Sequence, residues 1–90
     1  MTGTVALSPV LATDHVTSRQ VVVTINGTAL PPIEAITNPA QFTANAGDVC
    51  VIVDTDINTA GSTASDPFTV TAALPLQPPT KPSITGVTFA

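Results

Sequence analysis

The chain has 90 residues, a formal net charge of −4, 43% hydrophobic residues and 3% aromatic ones. That length allows one domain with a modest core. The core must rest on Val, Ile, Leu and Ala, because Trp and Tyr are absent and the aromatics are Phe42, Phe68 and Phe89. Two cations, Arg19 and Lys81, are too few to neutralise a row of phosphates, which argues against nucleic acid and anionic membrane surfaces as partners. No apolar run approaches the roughly 18–20 residues of a spanning helix.

The N-terminal stretch MTGTVALSPVLATDH has neither a basic n-region nor a sustained apolar run, so a chain made and used without Sec export is expected. The sequon Asn26-Gly27-Thr28 is accordingly expected to carry no glycan. Residues 3–7 form a weak strand candidate. His15 is the single His, beside Asp14 in a Pro-flanked segment, and is expected at the surface or an interface. Residues 18–27 read as a strand, with Val21, Val23 and Ile25 alternating on one face. Asn26-Gly27 follows, the strongest short signal for a two-residue hairpin turn. Residues 31–39 are bounded by prolines and allow one short strand or a turn of helix. Residues 40–44 are a second weak strand candidate.

Residues 48–58 are a clear strand, with Val49, Val51, Val53 and Ile57 on one face. Asp54, Asp56 and Asn58 occupy the opposite parity, at the i, i+2, i+4 spacing of the first half of an EF-hand loop. The glycine that such a loop wants at its sixth position is Thr59 and its twelfth residue is Ser65, so a solvated acidic face is expected, with a weak cation site at Asp54 and Asp56 as the alternative. Cys50 is the single cysteine. It admits no internal disulfide and, set mid-strand among valines, is expected to behave as a small buried hydrophobe. Residues 59–66 read as an exposed polar loop. Residues 67–74 form a third strand, with Phe68, Val70, Ala72 and Leu74 on one side.

Short strands separated by turn signals predict an all-β fold, a small antiparallel sandwich or barrel. Residues 75–82, PLQPPTKP, cannot join a sheet interior because proline has no N–H to donate, and read as a stiff extended linker. Ile84, Val87 and Phe89 then restore apolar character. The division expected is a β domain over 1–75 and a Pro-rich C-terminal arm over 76–90.

VCVIVDTDINTAGSTASDPFTVT, residues 49–71, resembles the final hairpin of fibronectin type III-like and related Ig-like domains. Asn58, Gly61, Ser62, Ser65 and Pro67 carry the likeness, which covers roughly residues 47–75. The chain departs from that family in lacking its strand Tyr and earlier Trp. It also places Asp54 and Asp56 where the family keeps apolar residues. The resemblance implies a reduced Ig-like β-sandwich, with Asn58, Gly61, Ser62 and Ser65 in an exposed hairpin loop.

Nothing in the chain resembles a nucleophile elbow, an oxyanion glycine cluster or a phosphate loop. Glu34, the single Glu, has no acidic partner in its segment for paired-carboxylate chemistry. No enzyme activity, cofactor or metal is expected. Charged residues make up 9% of the chain against about 25% in soluble domains, and Thr supplies 16 residues. A neutral hydroxyl surface of this kind tolerates burial against neighbours. With the apolar arm, it points to a virion structural protein assembled in the host cytoplasm, of the kind that decorates or cements a bacteriophage capsid. Its partners would be the major capsid protein, another virion protein or copies of itself, reached through the sandwich and through Ile84, Val87 and Phe89. The alternative is a ligand- or carbohydrate-binding or adhesion module using Ig-like loops, although a sugar site normally wants exposed Trp or Tyr.

Overall fold

The computed structural model describes residues 1–74 and 77–90. The expected boundary between residues 75 and 76 falls on the two residues outside that set. The fold is all-β: β1 (Thr2–Val5), β2 (Ser18–Ile25), β3 (Thr28–Ala29), β4 (Ile33–Glu34), β5 (Ala40–Thr43), β6 (Val49–Asn58), β7 (Gly61–Ala64) and β8 (Phe68–Thr71), with one 3-10 turn over Ala12–Asp14. All pairings are antiparallel.

The spine is the β2–β6 pair, in register from Ser18 opposite Ile57 to Ile25 opposite Cys50. The free edge of β2 carries two short strands, β3 near its end and β4 near its start. The free edge of β6 carries β7 along Thr55–Asn58 and β8 along Val49–Ile52. This sheet is therefore four strands wide, with both outer strands broken in two. A second sheet consists of β1 and β5 alone.

The hairpin between β2 and β3 follows from its two turn residues. Asn26 and Gly27 take φ of 49° and 86°, the positive values that a two-residue turn matched to strand twist requires. Asn26 also ties the turn to β6: its Nδ2 donates to Asp48 Oδ1 at 3.0 Å, and its Oδ1 accepts from the Val49 amide at 2.9 Å. At the other end of β6 the expected loop over 59–66 is corrected. Only Thr59 and Ala60 form the turn, and Gly61–Ala64 pair with β6 as a strand. Cross-strand pairing with a long, well-anchored neighbour overrides the weak strand preference of Gly-Ser-Thr-Ala.

Because directly opposed residues share a face, Val21, Val23 and Ile25 of β2 lie on the same side as Asp54, Ile52 and Cys50 of β6. Val21, Val23 and Cys50 have no exposure, and Ile52 has 8%. Ala40 of β5 and Ala44 just beyond it join these residues in one core cluster, with Val5, Leu7 and Phe42 packed against it. The core thus draws on both sheets. Val49, Val51, Val53 and Ile57 share a face as expected, but it is the outer face.

Beyond Ala72 the chain leaves the sheet. Residues 77–90 have no helix or strand, and every one is exposed. The radius of gyration is 21.0 Å, with extents of 84 × 29 × 20 Å, against about 12 Å for a compact chain of this length. The accessible surface is 6882 Å², roughly 2,000 Å² more than a compact monomer of this mass exposes.

Candidate functional site

A cleft of about 770 Å³ opens over the inner face of the large sheet. One wall is β1 with the residues that follow it, Ala6 to Ser8. Phe42, Cys50 and Ile52 lie deep, and Phe68 and Val70 of β8 form the far wall. Phe68 stands opposite Ile52 and Val70 opposite Cys50, so both belong to the buried face. Yet Phe68 is 66% exposed and Val70 40%. The geometry explains the exposure. The second sheet, β1 and β5, has two strands against the four-strand width of the large one, and β8 lies at the outer edge of the latter.

Gly3 fixes how closely β1 approaches β5. A Cβ there would sit 2.7 Å from Cζ of Phe42, whose ring lies over the glycine and fills one side of the cleft.

The polar end of the cleft is built from Arg19, Asp54 and Ser65. Arg19 falls on the inner face of β2, in line with Val21 and Val23, and is 8% exposed. Its Nε donates to Asp54 Oδ2 and to Asp56 Oδ1, each at 3.0 Å. Asp54 is 7% exposed. Its amide donates to Ser65 Oγ at 2.9 Å and its carbonyl accepts from the Ser65 amide at 2.7 Å, which pins the break between β7 and β8. Asp54 Oδ1 is buried without a hydrogen-bond partner. Burial pushes the Asp54 carboxyl above its ordinary value, and the neighbouring Asp56 carboxylate pushes the same way, while Arg19 opposes them.

The solvated acidic face expected at Asp54 and Asp56 is therefore corrected. Asp54 is buried and Asp56 half-buried, and both serve to neutralise a guanidinium inside the fold. Among the described residues no cluster of three or more His, Cys, Asp or Glu is placed to hold a metal ion. A signal for the pairing was present in the sequence. Arg19 shares parity with Val21, Val23 and Ile25, and a cation on an apolar face demands an acid on the partner strand.

The remaining candidates lie apart. His15 caps the 3-10 turn in a left-handed conformation, φ 47°, and is exposed. Cys50 is free and buried at the cleft floor, as expected. Glu34 sits on β4, where it accepts from Ser18 Oγ and Gln20 Nε2, both at 3.0 Å, and from the Ile36 amide at 2.7 Å. The Ile36 amide is the main cause holding its carboxyl below the usual range. Of the residues that carry the hairpin resemblance, Asn58 is half-buried. Its Nδ2 donates to the Asp14 carbonyl at 2.8 Å and its Oδ1 accepts from the Ala60 amide at 2.8 Å. Gly61, Ser62 and Ser65 are exposed, the first two within β7. Ile84, Val87 and Phe89 are 90%, 75% and 90% exposed. Among the described residues no helix is long and apolar enough to cross a membrane.

No protein-family model matches the sequence, no curated protein matches it, and no solved structure matches its fold.

Proposed function

We propose that the protein is a non-enzymatic structural subunit of a virion, a capsid decoration or cement protein of a bacteriophage or a similar accessory component. In this reading the body is a reduced Ig-like, fibronectin type III-like sandwich, with the β1/β5 sheet packed on the larger one. Residues 76–90 are an arm that docks on a neighbouring subunit. The observation that carries the reading is the exposure of Ile84, Val87 and Phe89 beyond a segment holding Pro78, Pro79 and Pro82. Three large apolar side chains held in water are stabilised only by a partner that covers them. Burying each contributes about 1.5–3 kcal/mol before ordering costs. The prolines reduce those costs, because their φ is fixed before docking. Modest contacts of this size suffice when repeated over a symmetric lattice.

The test is co-sedimentation of the tagged full chain with particles purified from the source of the sequence. Saturable binding is expected, lost in the variant carrying Ile84→Asp, Val87→Asp and Phe89→Asp. A full chain that stays in the supernatant, or a triple variant that binds as well as the unaltered chain, overturns the reading.

A further inference from the structure

Resting on the reading of residues 76–90 as a docking arm, we propose that the arm's acceptor is the inner-face cleft of a second copy of this chain, where it adds the missing strand between β1 and β8. Four observations carry this.

The first is the uncovered inner face. Phe68 and Val70 share the face of Val23, Cys50 and Ile52, yet remain 66% and 40% exposed. Among the described residues no strand pairs with the outer edge of β8, and β1 pairs only with β5. Two sheet edges with unused donors and acceptors thus flank an apolar cleft, the arrangement that accepts an extended segment.

The second is the pattern of the arm. Val87 and Phe89 alternate with Gly86 and Thr88, so an extended arm presents both on one face. Gly86 has φ 151°, in the region that favours glycine. One extra residue of bulge there brings Ile84 onto the same face as Val87.

The third is direction. After β8 the Ala72 amide donates to Asp48 and its carbonyl accepts from Gly47, at 2.8 and 2.9 Å, which steers the chain off the end of β6. To re-enter its own cleft the arm would have to reverse between Ala72 and Ile84, a stretch in which Pro78, Pro79 and Pro82 have no N–H to tie the returning chain to a sheet. A second copy requires no reversal.

The fourth is area and charge. The excess surface of roughly 2,000 Å² over a compact monomer matches the 1,200–2,000 Å² that a stable interface buries. Lys81, the charged residue of the arm, is opposite in sign to Asp66 on the cleft lining.

The experiment uses full chains throughout. An arm variant carries Val87→Asp and Phe89→Asp; a cleft variant carries Phe68→Asp and Val70→Asp, all at exposed or half-exposed positions. Far-UV circular dichroism checks that each retains its strands, and Phe68→Ser replaces the cleft variant if it does not. Oligomeric state is followed by light scattering across a concentration series. The unaltered chain is expected to self-associate and each variant alone to be monomeric, with Kd raised about tenfold or more per lost anchor. An equimolar mixture of the two variants is expected to regain association, since one supplies an intact arm and the other an intact cleft. A monomeric unaltered chain, a cleft variant that associates normally, or a mixture that stays monomeric overturns the proposal. Co-sedimentation with particles separates this result from the structural role. Binding lost in the arm variant but kept in the cleft variant places the acceptor on another protein and leaves the docking arm standing. Restored association in the mixture, with no particle binding by any chain, leaves the homotypic contact standing and removes the virion role.

Discussion

Replacing Arg19 by Leu tests whether the ionic group at the end of the cleft is a buried structural unit. Arg19 Nε lies 3.0 Å from an oxygen of each aspartate, and the Arg19 and Asp54 side chains are only 10% and 8% exposed. Attraction between unit charges about 4 Å apart is about 4 kcal/mol at an effective dielectric constant of 20. Breaking a buried pair by removing one partner typically costs about 3–5 kcal/mol, because the other charge is left uncompensated. Asp56, at 29% side-chain exposure, can rehydrate, whereas Asp54 cannot. A chain of this length is expected to have a total stability of about 5–13 kcal/mol, so Arg19→Leu should remove about a quarter or more of it at pH 7.

The pH dependence fixes the cause. The folded Asp54 carboxyl is raised above its ordinary 3.8, by burial first and by Asp56 second. A raised acid binds its proton more tightly in the folded state. Its contribution is therefore fully present below the ordinary value and is lost as pH rises through the folded one. Removing Arg19 removes the group that pulls the other way, so the penalty of Arg19→Leu should shrink steadily as pH falls toward the ordinary carboxylate range. Glu34 moves oppositely: its lowered value gives stability that is present above its ordinary range and lost as pH falls through the folded value. Comparing variant with unaltered chain at each pH cancels that background. The assay is urea unfolding followed by far-UV circular dichroism, since the chain has no Trp or Tyr. A loss below about 1 kcal/mol at pH 7, or an equal loss at pH 4 and pH 7, would refute the reasoning. The double variant Arg19→Leu with Asp54→Leu should recover much of the loss, as apolar replacement of a buried pair often does.

Gly27→Ala meets no atom within 4 Å but must hold φ at 86°, so thermal unfolding should show a loss of about 1–2 kcal/mol that is purely conformational. Gly3→Val places a branched side chain where a Cβ alone would lie 2.7 Å from Phe42 Cζ; a loss of about 1–3 kcal/mol is expected, with displaced Phe42 ring resonances in NMR spectra. Cys50→Ser puts a hydroxyl at a fully buried position where the thiol donates to the Asp48 carbonyl at 3.8 Å. That should cost about 1–3 kcal/mol. The native thiol should react with a disulfide reagent far more slowly than in urea; equal rates would show that the cleft floor is open.

The parts of the fold legible in the sequence are those set by local chemistry. Residues 18–25 alternate β-branched residues with polar ones, and Asn26-Gly27 accepts the positive φ of the turn, so strand and hairpin could be placed without a partner. That residues 77–90 form no strand was legible for the same reason, since Pro78, Pro79 and Pro82 have no N–H to give a sheet interior. The candidate site was less legible. Phe68 and Val70 read as one face of a strand, but their exposure depends on what the rest of the chain brings over that face. Asp54 and Asp56 were visible as an acidic pair, whereas their cation lies 35 and 37 residues away in sequence.

By itself, then, the sequence determined the all-β class, the two long strands, the Asn26-Gly27 turn and the lack of strand over residues 77–90, because alternation, φ preference and proline chemistry act within a few residues. Only the tertiary structure decided which face of β6 turns inward. Cys50 and Ile52 compete there with Val49, Val51 and Val53, and a strand apolar on both sides does not specify its own orientation. The register with β2 settles the choice. It sets Val21 opposite Asp54 and Arg19 opposite Asp56, burying a carboxylate that the alternation alone assigns to water.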